Sequence, residues 1–560
     1  MVQQNPLGFA DSQGVIQPWN ITQLSLNPSL DFSLIREFPQ GLLSKLTPNS
    51  EAVMSPWNIV YLSENRSLDF SLIREFPQGL LGHAGYHNSW PMFNLSHNRS
   101  LDFSLIREFP QGLPGHYGYH NSWSMFDLCC NSSLDFSLVR EFINGLPGFR
   151  GKLSPWCSET LSSNPSLDFS LVREFPHGLP GNVNDFTHDV SEKPCSEANS
   201  STNCVNHNPW STSRLSSNPR LDFNFVEEHL SGLPGKDGKL KPWSMGGLAR
   251  NKSFDFNFLR RHPTGLPGKD GKLKPWSMML CSNPKFDFSL IREFPDGLER
   301  EDGITQEWHM QLLCENPSFD FSLIREFPCG LPITLPLSLT LEEYEKFQPW
   351  DVKRLSSNPS LPKELVRSHL YGIPYDYNSV NVICFQTRKE SATCGELGSF
   401  NNPHSQQTAI EFQMWDVNNL SENPSLDFSL VHEFPDGLVD ATGEVHHWNM
   451  YALSKNRNLD FSLVHKFPYG LIQKDGKRKA WVVYALSSHP RLDFSLVEKY
   501  PEGLPENENK TKKWDIHDLC NRCPLPEFVF NNPDGLAGQE WPGPIISRNI
   551  TPLSESNEIS

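Results

Sequence analysis

Tryptophan recurs along the chain at nearly constant intervals, and this spacing is the strongest constraint on how the chain folds. Eight of the fourteen gaps between successive Trp residues are 33 positions long, and the others are 38, 54, 32, 42, 65 and 27. A fixed period of this size is typical of stacked structural repeats. We therefore expect about fourteen copies of one unit, each running from one Trp to the next, and we call each copy a repeat.

The residues after each Trp predict a first short helix. In ten of the fourteen repeats the next residue is Asn, Ser or Asp, and these side chains accept a backbone hydrogen bond at helix N-termini. In the repeat that begins at Trp448, Asn449 is the expected N-cap, and Trp448 and Leu453 form an apolar pair across it, a hydrophobic staple. The helix is expected to end at Asn-Pro or Asn-Arg, as at Asn27-Pro28.

A second short helix is predicted in the sequence LDFSLIREFP, which first occurs at 30–39. Asp31 is its expected N-cap, and Leu30 and Ile35 form a second staple. The apolar stripe consists of Phe32, Leu34, Ile35 and Phe38. The side chains expected to face solvent are Ser33, Arg36 and Glu37. Gly41 follows the helix, where a glycine suits the left-handed backbone past a C-terminus.

A β-hairpin is predicted between this glycine and the next Trp, and we call this segment the arm. Asp-Gly or Thr-Gly stands near the tip of several arms, as in 236–239, 269–272, 301–303, 442–443 and 474–477. Asp-Gly between strand-like residues is a strong hairpin signal. Two early arms read HAGYHN (83–88) and HYGYHN (116–121) and predict a turn less directly.

These helices require stacking. Helices of six to eight residues are unstable alone in water, because even about 12–15 residues are marginal. Burying one Trp removes roughly 150–250 Å² from water, and the identical face of the next repeat is the natural partner for it. The expected fold is mainly α: an α-solenoid of about fourteen hairpin/helix/helix repeats, with a minor β content from the hairpins.

Breaks in the period divide the chain into seven segments. The repeat that begins at Trp350 is the irregular one, since Pro362 and Lys363 replace the usual Asp-Phe. The predicted segments are a lead-in or cap at 1–18, repeats at 19–181, a loop insertion at 182–209, repeats at 210–370, an insertion at 371–414, repeats with a C-terminal cap at 415–541, and a tail at 542–560.

Charge and composition disfavour several classes of protein. The net charge of −17 is unsuited to nucleic-acid binding, which needs a basic face. The sequence contains no run of about 18 apolar residues, so it predicts no membrane span. The first residues lack the features of a signal peptide. We expect a protein that is not secreted and whose thiols are reduced. Two Cys pairs lie within the insertions, Cys195/Cys204 and Cys384/Cys394. Disulfide bonds within these pairs are the alternative if the compartment is oxidising.

Candidate chemical sites are few. His83/His87 and His116/His120 are spaced as possible ligands but lie in predicted turns, and Cys520/Cys523 has no second Cys pair nearby for zinc. The Asp before each second helix is explained as an N-cap, and no second carboxylate pairs with it for acid/base work. No nucleotide-binding or catalytic motif is present. The sequence therefore predicts no enzyme and no catalytic, cofactor-binding or metal-binding residues.

Variation between repeats is concentrated in the arms, and in repeat proteins variable surface segments on a constant frame carry specificity. The predicted partner-binding residues are Lys236, Asp237, Lys239, Lys269, Asp270, Lys272, Tyr117, Tyr119, Lys474 and Lys477. We expect the ligand to be a protein, with self-association as an alternative.

Two families resemble this chain. The 33-residue period with a hairpin, a helix, an Asn-Pro break and a second helix is similar to the ankyrin repeat, and KDGKLKPW stands where ankyrin repeats carry DGxTPLH, although the TPLH box is absent. The sequence motif NPSLDFSLV…FPDGL…W…LS, at 423–438 and Trp448, resembles the tandem repeats in proteins of giant DNA viruses, which have the sequence NPNITWEIV…NPDKPWNW…LS.

The viral resemblance covers about 19–541, with Phe in place of Trp and a longer hairpin. It implies a viral repeat protein of interaction or structural type without catalytic residues. The expectation is a non-enzymatic scaffold for protein–protein interaction. The alternative is a self-associating structural protein of a virion. The location implied is the host cytoplasm or the virion.

Overall fold

The computed structural model describes most of the repeats. The described residues are 9–10, 16–46, 52–82, 86–115, 119–148, 151–181, 207–333, 347–374, 412–473, 476–507, 510–520 and 535–539. The chain divides into two compact parts, which we call the N-terminal half (Met1–Ser277) and the C-terminal half (Met278–Ser560).

The repeat that begins at Trp448 shows the common plan. Its first helix is Met450–Lys455 and its second is Phe461–Lys466, each of six residues. Its arm pairs Leu471–Ile472 with Arg478–Lys479 as antiparallel strands. The predicted repeat architecture is confirmed. Two six-residue helices leave most of a 33-residue repeat in turns and arm, so a helix–helix–hairpin repeat describes the fold better than the expected mainly α class.

First helices occupy the same position in successive repeats. In the N-terminal half they are Ile21–Leu26, Ile59–Glu64, Met92–His97, Met125–Cys130, Ser158–Leu161, Thr212–Ser216 and Met245–Arg250. In the C-terminal half they are the 3₁₀ helix Met278–Ser282 and the α-helices Met310–Glu315, Val352–Ser357, Val417–Glu422, Met450–Lys455, Val483–Ser487 and Ile516–Cys520.

Second helices follow after a short turn. Those of the N-terminal half are Ser33–Glu37, Ser71–Glu75, Ser104–Glu108, Phe136–Glu141, Phe169–Glu174, Phe223–Glu228 and Phe256–Arg261. Those of the C-terminal half are Ser289–Glu293, Ser322–Glu326, Lys363–Ser368, Phe428–Glu433, Phe461–Lys466 and Phe494–Lys499.

Each arm contains one two-stranded antiparallel sheet. The pairs in the N-terminal half are Phe9–Ala10/Ile16–Gln17, Leu42–Leu46/Ala52–Ser55, Leu80–Leu81/His87–Asn88, Leu113–Pro114/His120–Asn121, Leu146–Pro147/Leu153–Ser154, Leu179–Pro180/His207–Asn208, Leu233–Pro234/Leu240–Lys241 and Leu266–Pro267/Leu273–Lys274. The pairs in the C-terminal half are Leu298–Glu299/Thr305–Gln306, Leu331–Pro332/Phe347–Gln348, Ile373–Pro374/Phe412–Gln413, Leu438–Val439/Val445–His446, Leu471–Ile472/Arg478–Lys479 and Leu504–Asn507/Lys510–Lys512.

Most of the predicted helix caps are confirmed, although Ser124 makes no side-chain cap hydrogen bond. Asn58 precedes its helix and accepts a 3.3 Å hydrogen bond from the backbone N–H of Tyr61. Trp57 and Leu62, the staple pair across this cap, are both buried. Asp135 caps a second helix in the same way, through the N–H of Ser137 at 2.9 Å.

Two sequence variations alter the start or the cap of the second helix. Where the helix reads SLIRE, it begins one residue later, at Ser33 for example, yet Asp31 still accepts from the N–H of Ser33 at 3.0 Å. In the irregular repeat the helix Lys363–Ser368 follows Pro362, which makes no side-chain cap hydrogen bond. The helix thus survives without its usual cap.

Tryptophan rings occupy the core of each half. In the N-terminal half Trp57, Trp90 and Trp156 are almost completely buried, whereas the first, Trp19, is partly exposed. Aromatic rings also meet across repeats: the centroids of Phe223 and Phe254, on successive repeats, lie 5.1 Å apart in an edge-to-face arrangement. Edge-to-face pairs at this distance are favourable beyond their buried area. The repeats therefore share one interior within each half.

The ends of the predicted insertions belong to the arms. His207–Asn208 pairs with Leu179–Pro180, and Phe412–Gln413 pairs with Ile373–Pro374. The boundaries 182–209 and 371–414 therefore include arm strands. The Cys pairs Cys195/Cys204 and Cys384/Cys394 and the predicted tail at 542–560 lie outside the described residues. None of the described helices has the length and apolar character needed to cross a membrane.

Candidate functional site

Each arm leaves the frame at a glycine that no other residue can replace without strain. Gly112 has φ 93° and its N–H donates to the carbonyl of Phe109. A Cβ on Gly112 would lie 1.9 Å from the carbonyl oxygen of Asn121 on the opposite strand, far inside van der Waals contact. The direction in which the arm leaves the second helix is therefore fixed.

The tips of the Asp-Gly arms fold as predicted. In the arm at 233–241 the N–H of Gly235 donates to Lys239 at 2.8 Å, and the N–H of Gly238 donates back to Gly235 at 2.9 Å. Gly238 has φ 68°, the left-handed conformation that follows a type I turn in short hairpins. The Asp237 carboxylate accepts from the N–H of Lys239 at 3.2 Å. These bonds hold the tip without using the lysine side chains.

Six predicted partner-binding residues lie on two consecutive arms, at 233–241 and 266–274, which we call the basic arm pair. All six are exposed: Lys236, Asp237, Lys239, Lys269, Asp270 and Lys272. Lys241 hydrogen-bonds the carboxylate of Asp237 at 3.2 Å, and this bond lowers the pKa of Asp237. Part of the negative charge of the first arm is thus paired within the arm itself.

The remaining predicted residues lie on other arms. Tyr119 is exposed on the arm at 113–121, and Lys477 is exposed on the arm at 471–479. Tyr117 and Lys474 lie outside the described residues. Among the predicted residues that the structure describes, the basic arm pair is therefore the largest group on consecutive arms.

Three side chains on the arm at 438–446 come within ligand distance of one another: Asp440, Glu444 and His446. Asp440 accepts hydrogen bonds from the hydroxyl of Thr442 at 2.6 Å and from His446 Nε2 at 3.0 Å. These bonds, led by the one from Thr442, hold the pKa of Asp440 well below its usual range. Its carboxylate is already occupied in closing the turn, so the cluster is explained as a tip of the hairpin.

The histidines and the CxxC pair considered from sequence have structural surroundings where they are described. His87 Nδ1 lies 3.1 Å from the carbonyl of Gly79, and His120 Nδ1 lies 3.3 Å from that of Gly112. Both rings therefore contact the base of their own arm. Their companions His83 and His116 lie outside the described residues, as does Cys523. Cys520 ends the helix Ile516–Cys520.

A ladder of buried asparagines, which the sequence reasoning missed, joins successive repeats. Asn98 donates from Nδ2 to the carbonyls of Ser63 at 2.8 Å and Asn65 at 3.0 Å, both in the preceding repeat. Its Oδ1 accepts from the N–H of Ser100 at 2.9 Å. The same bonds recur at Asn65, Asn131, Asn164, Asn218 and Asn251 in the N-terminal half and at Asn316, Asn358, Asn423 and Asn456 in the C-terminal half. The asparagine read as a helix break is thus also an inter-repeat contact.

A ladder of ion pairs links the second helices. Arg74 donates from Nη2 to Asp102 at 2.9 Å and from Nε to Glu108 at 2.7 Å, both in the next repeat. Partial burial alone would raise the pKa of Asp102, but hydrogen bonds from Ser104 and Arg74 outweigh it, and the net effect is a lowered pKa. As predicted for Arg36 and Glu37, the arginine and glutamate of this helix are partly or fully exposed, but the prediction did not include the ion pairs that these side chains make between repeats.

Three buried cysteines stand at the position that serine takes in most first helices. Where it is Ser96, its hydroxyl accepts the N–H of Ser124, the first-helix cap of the next repeat, at 3.1 Å. Cys129, Cys281 and Cys314 replace this serine and are buried free thiols. Burial raises the pKa of Cys281 to about 12. Such thiols are packing groups and not nucleophiles.

Exposed aromatic side chains form a second surface that sequence reasoning missed. Phe93 and Phe126 occupy the second position of consecutive first helices and are 63% and 61% exposed. Phe93 stacks on His97 with a centroid distance of 6.5 Å. In the C-terminal half Tyr451 and Tyr484 occupy the same position and are also exposed. The sequence did contain a signal for this surface: in these four repeats the second position of the first helix holds Phe or Tyr, where a polar residue would suit an exposed position.

The chain matches no protein-family model, and no curated protein shows significant similarity to it.

Proposed function

We propose that this chain is a non-enzymatic repeat scaffold that binds partner proteins through its arms. The observation that carries the proposal is a constant frame beneath variable arms. The indole N–H of Trp243 donates to the carbonyl of His229, 14 residues earlier, at 2.7 Å. The equivalent bond spans 19 residues at Trp57, 35 at Trp210 and 46 at Trp415, always at 2.7 Å. Arm length varies while the frame does not.

The charge of the arms also varies on an unchanged backbone. The arm at 233–241 pairs Leu233 with Lys241, and the arm at 298–306 pairs Leu298 with Gln306. The first carries Lys236, Lys239 and Lys241 against one aspartate, whereas the second carries Glu299, Glu301 and Asp302 against one arginine. Arms of one geometry and opposite charge favour recognition of different partner surfaces over a packing role.

The groups that catalysis would require are explained by structure in the described repeats. Asp102 accepts from Ser104 as a cap and from Arg74 in the ladder. The same pairing of roles recurs at Asp69, Asp135, Asp320 and Asp427. A carboxylate repeated in this way serves the stacking of repeats, which supports the proposal of a scaffold without catalytic residues.

The alternative function is self-association into a structural assembly, and the exposed aromatic residues favour it. Phe93 and Phe126 lie on helices that contact each other, Met92–His97 and Met125–Cys130. Contiguous exposed apolar surface marks interaction sites. Together with the viral resemblance, this alternative places the protein in a virion, whereas the scaffold function fits the host cytoplasm or the virion.

An exchange of arms tests the proposal. Residues 234–241 are replaced by the sequence of 299–306, which has the same number of residues and the same strand register. We expect unchanged thermal unfolding and a changed set of proteins that co-purify with the chain. A set of captured proteins that stays the same after this exchange and after the corresponding exchanges of the other arms would contradict the proposal. Light scattering on the purified chain tests the alternative, which requires assemblies larger than a monomer.

A further inference from the structure

We propose that the basic arm pair, the consecutive arms at 233–241 and 266–274, is a docking site for an extended acidic segment of a partner protein. The inference rests on the proposed function, because it assigns a partner chemistry to two of the arms. Three observations carry it: the local charge, the shared geometry of the two arms on repeats that touch, and an exposed leucine among the lysines.

The charge of the arm pair opposes that of the chain. The pair carries six lysines and two aspartates, whereas the whole chain has a net charge of −17. The lysines are Lys236, Lys239, Lys241, Lys269, Lys272 and Lys274. Asp237 is paired with Lys241 at 3.2 Å. Lys236 and Lys239 on the first arm and Lys269, Lys272 and Lys274 on the second remain exposed, so an acidic ligand meets them without displacing a structural contact that the tip needs.

The two arms have one geometry and belong to repeats that touch. Gly235 N–H donates to Lys239 at 2.8 Å in the first arm, and Gly268 N–H donates to Lys272 at 2.7 Å in the second. The repeats that carry them meet through the rings of Phe223 and Phe254, 5.1 Å apart. Packed helices are spaced by about 8–10 Å. Carboxylates about three residues apart on an extended peptide, at ~3.3 Å per residue, reach lysines of both arms.

An exposed leucine distinguishes a peptide ligand from a nucleic acid. Leu240 begins the strand Leu240–Lys241, directly after Lys239, and is 47% exposed. A peptide offers apolar side chains to cover this leucine, whereas a phosphate backbone offers charge alone. Both arms carry lysine and no arginine, and arginine is the residue suited to bidentate phosphate binding.

The test uses the full chain and a labelled acidic peptide of Asp, Glu and Leu, of about twelve residues, which spans ~40 Å when extended. Binding is measured by fluorescence anisotropy. The test variant is Lys236→Glu/Lys239→Glu/Lys269→Glu/Lys272→Glu. The matched control has the same charge change at exposed lysines outside the arms, Lys252→Glu/Lys285→Glu/Lys353→Glu/Lys363→Glu. Thermal unfolding of both variants verifies that the frame is retained, and a Lys→Gln version of the test variant removes charge without reversal.

We expect the test variant to bind at least about tenfold more weakly, because four exposed ion pairs become repulsions. The glutamine version should fall between it and the wild type, and the control should bind like the wild type. Equal weakening in the test and control variants would overturn the proposal, because only bulk charge would then matter. Absence of binding, or tighter binding of a single-stranded oligonucleotide than of the peptide, would also overturn it.

Comparing the natural partners captured by the wild type and by the test variant distinguishes a failure of this inference from a failure of the proposed function. If wild-type and test variant capture the same proteins, the acidic docking site is wrong while the scaffold function stands through other arms. If neither this variant nor any arm exchange alters capture, the scaffold function itself is wrong.

Discussion

The indole nitrogen of Trp415 donates a 2.7 Å hydrogen bond to the carbonyl oxygen of His369, 46 residues earlier. Trp448 makes the same bond, at 2.7 Å, to Phe434, only 14 residues earlier. In both cases the acceptor is the C-cap residue immediately after a second helix. The tryptophan therefore fixes the end of one repeat to the start of the next, whatever the length of the arm between them.

Shortening the longest arm should not harm the frame. The strands Ile373–Pro374 and Phe412–Gln413 pair in the same register as those of the short arms. Replacing 375–411 with Gly-Lys-Asp-Gly-Lys, the tip at 235–239, should retain or raise stability, by up to ~2 kcal/mol from the smaller loop-closure entropy. Urea denaturation measures this change. A clear loss of stability would show that the replaced segment supports the frame.

The asparagine ladder should tolerate histidine better than alanine. Asn98→Ala removes two buried hydrogen bonds to the preceding repeat and should cost ~2–4 kcal/mol of unfolding free energy, because both carbonyls lose their partner. His489 takes the same position in a later repeat, where its Nε2 lies 2.8 Å from the carbonyl of Asn456. Asn98→His should therefore cost less than Asn98→Ala in urea denaturation; the opposite order would argue against the ladder.

The buried cysteines should be replaceable by serine. Cys281 stands where Ser421, in the same half, donates to a helix carbonyl at 2.6 Å and accepts the N–H of Asn449 at 3.1 Å. Cys281→Ser should change the unfolding free energy by less than ~1 kcal/mol, because the hydroxyl finds both partners. Cys281→Val, of similar volume without a hydrogen-bonding group, is the matched control and should be less stable. A destabilised serine variant would contradict this assignment.

The ion-pair ladder should make the chain sensitive to acid. The pKa of Asp102 is lowered in the folded state by Ser104 and Arg74 despite the opposing effect of burial. Its stabilising contribution is therefore complete above the unfolded pKa of about 3.9 and is lost as the pH falls through the lower folded pKa. Unfolding midpoints measured at decreasing pH should show this loss below about pH 4, and Asp102→Asn should reduce it. An unchanged pH profile in Asp102→Asn would exclude the ladder as its source.

Sequence alone could predict the local features of the repeat and the stacking of its apolar faces, but not the polar contacts between repeats. The cap at Asn58 bonds a residue three positions away, so residue type and spacing suffice to predict it. Asn98 instead bonds Asn65, 33 positions earlier, and Arg74 bonds Asp102, 28 positions later. Every polar residue of a repeat recurs with the same period, so periodicity cannot say which of them meet across repeats. That choice depends on how the helices are rotated when they stack.

The arms illustrate the same limit for function. Their Asp-Gly tips were predictable because turn chemistry is local. Which lysines of the basic arm pair are available to a ligand depends instead on the pairing of Asp237 with Lys241 in the folded arm. The exposed ring of Phe93 does not follow from the period, because the same helix position holds Phe or Tyr in only four repeats, whereas a Trp begins every repeat.

Equilibrium denaturation of Trp243→Ala tests most directly the claim that buried indoles join successive repeats. Trp243 is 2% exposed and its Nε1 donates to His229 of the preceding repeat at 2.7 Å. We predict a loss of ~3–5 kcal/mol from the cavity and the lost contacts. Trp243→Phe, which keeps a ring but loses the hydrogen bond, should fall between this variant and the wild type. A Trp243→Ala chain as stable as the wild type would contradict the account.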